Sequence, residues 1–149
     1  MDVAKEGLGL NQLLGGMRIA ATGMSAERVR IDTIARNIAH AQVTRTPEGG
    51  PYRRQVVEFE PILIRAADGR EINSGVRVRQ MREDTTSPFE RIHEPGHPDA
   101  DASGWVTYPN VNTTREMADL ITAVRAYEAN LGVQDSFVRM AERALRIAQ

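Results

Sequence analysis

Two imidazoles and three carboxylates fall within nine residues of this chain, in His93-Glu94-Pro95-Gly96-His97-Pro98-Asp99-Ala100-Asp101. Side chains of these types ligate divalent cations or move protons. A centre built from His93, His97, Asp99 and Asp101 would make the protein a metal-dependent enzyme. The spacing argues against it. Two prolines and a glycine interrupt the run, so the two histidines cannot ride one face of a helix. The expectation is a rigid polar turn that holds neither metal nor cofactor. Other chemistries lack their motifs. Ser25, Ser87, Ser103 and Ser136 stand outside any Gly-x-Ser-x-Gly context. Gly49-Gly50-Pro51 is not followed by the Lys-Ser/Thr pair and helix of a phosphate-cradling loop. With 0 cysteines, disulfides, thiolate zinc sites and cysteine nucleophiles are excluded. The chain is expected not to be an enzyme.

The elements around that loop follow from proline. All 7 prolines lie between Pro47 and Pro109, and proline inside a helix costs about 3 kcal/mol. Three segments result: 1–43, 44–112 and 113–149. In the first, residues 1–9 hold Gly7 and Gly9 and read as loose, and residues 10–43 read as one helix. Gly15, Gly16 and Gly23 weaken its first half, and Gly15-Gly16 is where a break would fall. In the second, Tyr52–Phe59 and Ile62-Leu63-Ile64 read as strand, Asp68-Gly69 as a hairpin turn, and Gly75–Arg79 as a period-two strand. They predict a small antiparallel sheet, followed by turns from Pro95 to Asn112. In the third, Thr113 and Glu116 have capping-box spacing at the start of a helix that runs to Gln149. Asp119 adds negative charge where the helix dipole favours it.

Both terminal segments carry heptad seams. Leu10, Met17, Met24, Ile31 and Ile38 are spaced by seven, as are Met117, Val124, Leu131, Val138 and Leu145. Three residues on from each stand Leu13, Ala20, Glu27, Ile34 and Ala41, then Leu120, Tyr127, Gln134, Ala141 and Ala148. This is the pattern of helices that pack along their length. Glu27 and Gln134 interrupt the partner rows, either as register-fixing polar residues or as the edge of a seam that drifts. The fold class is therefore α+β: two long terminal helices in a coiled-coil-like packing domain, with a small antiparallel β/loop segment between them.

Composition narrows the function. The 149 residues suit one ordinary domain. Of 7 aromatic residues, 5 (Tyr52, Phe59, Phe89, Trp105, Tyr108) lie in the middle segment. The terminal helices therefore have few bulky groups with which to close a core. The 19 basic and 20 acidic residues nearly balance, and no segment has the basic excess of a nucleic-acid binder. No apolar run reaches the ~20 residues that span a bilayer, and the first ten residues lack the apolar stretch of a cleaved signal peptide. Either the protein stays in the cytoplasm or it leaves without a cleaved signal.

Specific motifs then point to a family. Gly23-Met24-Ser25-Ala26 and Ile34-Ala35-Arg36-Asn37-Ile38-Ala39-His40-Ala41 resemble the N-terminal signature of bacterial flagellar rod and hook axial proteins, an Asn-Ile-Ala-Asn motif. Ala123-Val124-Arg125-Ala126-Tyr127-Glu128-Ala129-Asn130 resembles the signature at their other end. Gly49–Gln55, Pro95–Asp101, Gly104-Trp105-Val106, Tyr108–Asn112 and Glu116-Met117 narrow the resemblance to the proximal-rod family of the flagellar basal body, the C-type rod subunits.

This resemblance implies a structural subunit of the rod, the drive shaft between rotor and hook. It implies export by the flagellar type III apparatus without a cleaved signal, and a place in the periplasm-spanning rod. The partners would be other rod proteins and copies of the chain itself, with no nucleic acid and no membrane insertion. The expected assembly interface is Met17, Met24, Ile31, Ile34, Asn37 and Ile38 on the first helix. On the second it is Met117, Leu120, Val124, Tyr127, Asn130, Leu131, Val138 and Leu145. The alternative from another class is a cytoplasmic helical adaptor whose ends form an intramolecular antiparallel coiled coil. One residue departs from the signature: His40 stands where the second Asn is usual. A neutral imidazole donates one hydrogen bond and accepts another. His40 is therefore expected to replace that amide at a packed helix surface and to make the contact sensitive to acid.

Overall fold

The computed structural model describes residues 3–66 and 69–147, with side chains within that range from residue 14 to residue 146. The elements are α1 (Val3–Ala39), β1 (Gln55–Arg65), β2 (Glu71–Glu83), β3 (Glu90–His93), β4 (Trp105–Tyr108) and α2 (Thr113–Ile147). The class is α+β, with two long helices flanking a strand region. The loose stretch expected over residues 1–9 falls partly outside the described residues. From Val3 the chain is helical. At the other end α1 stops four residues short of the expected 43, because the chain tightens there. The Ala41 N–H donates to the Ile38 carbonyl at 3.2 Å and the Val43 N–H to the His40 carbonyl at 3.1 Å, bonds that span three residues rather than four.

The chain forms two compact units: residues 1–29, 59–79 and 123–149 make the first, and residues 30–58 and 80–122 make the second, which includes the start of α2. In the first unit α1 and α2 run antiparallel. Gly16 of α1 lies against Phe137 and Gly23 lies against Asn130, a step of seven up one helix and down the other. A Cβ on Gly16 would stand 2.3 Å from Phe137 Cζ, and one on Gly23 would stand 2.9 Å from Asn130 Nδ2. Gly16 and Gly23, two of the three glycines read from sequence as weak points, are therefore hollows that receive larger side chains, and α1 continues through Gly15-Gly16 unbroken. The distal part of the β1–β2 hairpin is tied to α1 in the same unit. Arg18 Nη2 donates to Ser74 Oγ at 2.7 Å, and the Val76 N–H donates to Thr22 Oγ1 at 3.2 Å. Gly75 has φ 142° and leaves no room for a Cβ beside Thr22.

The strands form two two-stranded sheets, β1–β2 and β3–β4, where one sheet was expected. β1 runs continuously through Pro61, which the sequence reading treated as an interruption. A two-stranded ribbon has an open edge on both strands, so a residue without an N–H is tolerated there. Part of the Asp68-Gly69 turn lies outside the described residues. On either side of it, the Ala66 N–H donates to the Arg70 carbonyl at 2.8 Å. In the second unit β3 and β4 pair antiparallel, from Glu90 opposite Tyr108 to His93 opposite Trp105; β4 lies in the stretch from Pro95 to Asn112 that was read as turns. Val106 of β4 is fully buried.

The start of α2 also differs from expectation. Asn112 is the N-cap: its Oδ1 accepts the Arg115 N–H at 3.0 Å, and its carbonyl accepts the Glu116 N–H at 2.9 Å. Thr113 is already helical. Glu116 does not close a capping box, because its carboxylate is directed into the interior of the second unit.

Candidate functional site

Among the described residues the largest fully buried side chain is a carboxylate. Glu116 is 0% exposed and Asn37 is 1% exposed, and the two meet in the second unit. Asn37 Nδ2 donates to Glu116 Oε2 at 2.9 Å and to the Gln55 carbonyl at 2.9 Å. Asn37 Oδ1 accepts the Gln55 N–H at 2.9 Å and the Tyr52 hydroxyl at 2.9 Å. The amide thus uses all four of its hydrogen-bonding positions. Burial raises the Tyr52 hydroxyl pKa, with Arg36 pulling the other way and Glu116 adding to the rise.

The charge on Glu116 is met by Arg54, whose Nε lies 2.7 Å from Glu116 Oε1. The same guanidinium lies 3.7 Å from Asp84 Oδ2 and 3.7 Å from Asp119 Oδ2. Asn110 anchors the backbone around it, accepting the Arg54 N–H at 2.8 Å and donating to the carbonyls of Asp84 at 2.9 Å and Ser87 at 3.1 Å. Asp84 accepts from the hydroxyls of Thr86 and Ser87 and from both their backbone N–H groups. Those bonds, the two hydroxyls first, hold its carboxyl well below the usual carboxylate range. A buried ion pair is stable only when its remaining bonding positions are satisfied, and here they are. Residues 109–116 line one side of a cleft of about 700 Å³ with Arg54, Asp84 and Ser87. The polar groups there are committed to one another, which suits a clamp.

The His-rich loop is likewise engaged internally. His97 Nδ1 accepts the Asp99 N–H at 3.1 Å. Asp99 accepts Thr44 Oγ1 at 2.8 Å. Asp101 accepts the N–H groups of Ser103 and Trp105 and pairs with Arg91 at 2.8 Å. His93 sits edge-on to Trp105 at 5.2 Å, and Glu94 accepts the Tyr108 hydroxyl at 2.9 Å. Each of the four residues that such a metal centre would need is thus engaged in a contact within the chain.

His40 is exposed, contrary to the expectation of a packed surface. Its Nδ1 lies 2.8 Å from the Arg36 carbonyl, so that nitrogen carries the proton and donates. Its ring stacks on Tyr52 at 4.8 Å between centroids. The imidazole caps a helix carbonyl and covers the tyrosine that holds Asn37. No acceptor role is involved.

The expected interface residues divide into two groups. Ile34 and Asn37 are buried within the chain, and Met17, Met24, Ile31, Ile38, Leu120, Tyr127 and Asn130 are half-buried. By contrast Met117, Val124, Leu131, Val138 and Leu145 are exposed. The covered row of α2 is one residue earlier than the apolar seam, at Glu116, Ala123, Asn130 and Phe137, with Leu120, Tyr127, Gln134 and Ala141 half-buried beside it. The glycine hollows and the Asn37–Glu116 bond decide which row of α2 faces inward. Sequence reading missed Ile121, Val133 and Met140 as further exposed apolar residues. It also missed Tyr52, Arg54, Asp84 and Asn110 as clamp residues, although three of the four lie inside or directly beside the motifs that carried the resemblance.

Comparison with known proteins gives concordant matches. Residues 102–147 match the family described as flagellar basal body rod FlgEFG protein C-terminal. The chain is 42% identical over 150 residues to the flagellar basal-body rod protein FlgC of Borreliella burgdorferi, covering 92% of this chain and 98% of the relative. It is 34% identical to that of Bacillus subtilis, covering 89% and 96%. It is 37% identical to that of Yersinia enterocolitica, covering 92% and 98%.

Proposed function

The chain belongs to the FlgC family of flagellar basal-body rod proteins, and from that premise we propose that it enters the rod through apolar faces its own fold leaves uncovered. It is a structural subunit of the basal-body rod. The observation that supports this mode of entry is the outward row of α2. Val124, Leu131, Val138 and Leu145 are 37% to 65% exposed, an apolar row along the part of α2 that lies in the first unit. Contiguous exposed apolar surface of this kind marks a site of association. Its partners are other rod subunits and copies of itself, and its role is mechanical, without catalysis. It reaches the rod through the flagellar type III export apparatus without a cleaved signal. No helix of the described residues is long and apolar enough to cross a membrane.

The test is Leu131→Asp. Leu131 is exposed in the isolated chain, so the variant keeps its helix content and is exported. Burying an unpaired carboxylate at an interface costs several kcal/mol, so rods fail to assemble and motility is lost. A motile strain with a normal count of basal bodies would exclude this face as an interface.

A further inference from the structure

Resting on the rod-subunit reading, we propose that the outer surface of α2 carries two complementary flanks. One flank of each copy docks on the other flank of the next. Successive residues of a helix turn by about 100°. In the first unit α1 covers the direction of Asn130 and Phe137, through Gly23 and Gly16. About 100° round from that covered row lie the exposed Val124, Leu131 and Val138. About 40° further on stand the exposed acids Glu128 and Asp135. This apolar and acidic strip is the first flank.

The second flank continues round the helix. The exposed Arg125 and Arg139 lie about 100° from the first apolar row. Gly132 stands between them in the same row, with open space where a Cβ would be. The exposed Val133 and Met140 follow about 100° beyond. Among the described residues, none of Glu128, Asp135, Arg125 and Arg139 makes an ion pair within the chain.

The occupant follows from charge. An antiparallel two-fold contact would set the first flank against itself and oppose acid to acid, and like charges brought together cost affinity. First flank on second flank opposes acid to arginine and apolar to apolar, with the Gly132 row admitting close approach. With each copy turning its two flanks to two different neighbours, such a contact is heterologous. It leaves an unused flank at each end of any oligomer, so it propagates into a ring or an open helix. The partner that fits is therefore a second copy of this chain, lying alongside with α2 next to α2.

The experiment is a charge exchange in cells whose only copy is the variant, read as assembled basal bodies per cell. Arg125→Glu with Arg139→Glu makes both flanks acidic, and Glu128→Arg with Asp135→Arg makes both basic. Each double variant is expected to lower assembly by about tenfold or more. The quadruple variant exchanges the two flanks and is expected to return to within about twofold of wild type, since complementarity is restored. Co-expression of the two doubles, which can alternate, is expected to rescue as well. Normal assembly of both doubles would overturn the proposal. So would a quadruple that fails to assemble while its purified form keeps wild-type helix content, which would point to a different rod subunit as the partner. The rod reading fails separately, if a tagged wild-type copy is absent from purified basal bodies.

Discussion

Asn37 and Glu116 are 79 positions apart in sequence and 2.9 Å apart in the fold. They join the end of α1 to the first turn of α2. The Asn of the rod-protein motif thus faces the interior of its own chain, where it also fastens both backbone groups of Gln55. The motif residue organises the subunit, and the outward row of α2 stays exposed. A buried polar group that is fully bonded defines one arrangement sharply, because any shift leaves it unpaired in a low dielectric.

Replacing that amide should therefore be costly. Asn37→Ala strands the Gln55 N–H and carbonyl and removes the partner of Glu116 Oε2. Each buried group left unsatisfied costs about 1–3 kcal/mol. With partial rescue by water, the expected total is roughly 3 kcal/mol, read as a lowered urea midpoint of the purified chain. A loss under about 1 kcal/mol would mean that the amide is dispensable to the fold.

The parts of this fold that were legible from sequence are those written in local chemistry. Prolines from 47 to 109 bound the helices, and period two with a turn signal marks the β1–β2 hairpin. The β3–β4 sheet was not legible because its strands are four residues long. It depends on one turn, where Asp101 accepts two backbone N–H groups and Gly104 has φ 77°. The phase of the helix pair was not legible for a different reason. Apolarity selects the row of Met117 and Leu131, whereas the contact uses glycine hollows and a buried carboxylate. Those signals acquire meaning only once both partners are known.

The two adjacent glycines of α1 should respond in opposite directions. Alanine is favoured over glycine within a helix by about 1 kcal/mol. Nothing lies within 4 Å of a Cβ built on Gly15, so Gly15→Ala should raise the thermal midpoint. A Cβ on Gly16 meets three atoms of the Phe137 ring at 2.3 to 2.9 Å. Overpacking of that kind costs typically 1–3 kcal/mol, so Gly16→Ala should lower the midpoint despite the better helix propensity. A Gly16→Ala chain as stable as Gly15→Ala would show that Phe137 does not occupy this hollow.

Acid should weaken the second unit through Asp84. Its folded carboxyl titrates well below the usual range because Thr86 and Ser87 donate to it, while an unfolded Asp titrates at about 3.9. The folded state therefore binds the proton less readily than the unfolded state. The stabilisation is complete above about pH 4 and is lost as the pH falls below it toward the folded value. Asp84→Asn cannot titrate, so its urea midpoint should fall less steeply than wild type between about pH 4 and pH 2. Parallel slopes would remove Asp84 as the source.

His40 should make little difference to acid sensitivity. Its Nδ1 donates to the Arg36 carbonyl, and an imidazolium retains that N–H. Nothing in the contact requires an acceptor, so the acid-labile role expected from sequence does not arise. His40→Asn forfeits the stack on Tyr52, a contact between rings worth about 0.5–1.5 kcal/mol. Its stability should fall by that order at every pH. The measurement is the thermal midpoint of both chains between about pH 5 and 7, where histidine changes charge. Two parallel curves, offset by a constant, are expected. Curves that converge at the acid end would show that the charged ring loses the contact and that His40 does act as a proton-sensitive joint.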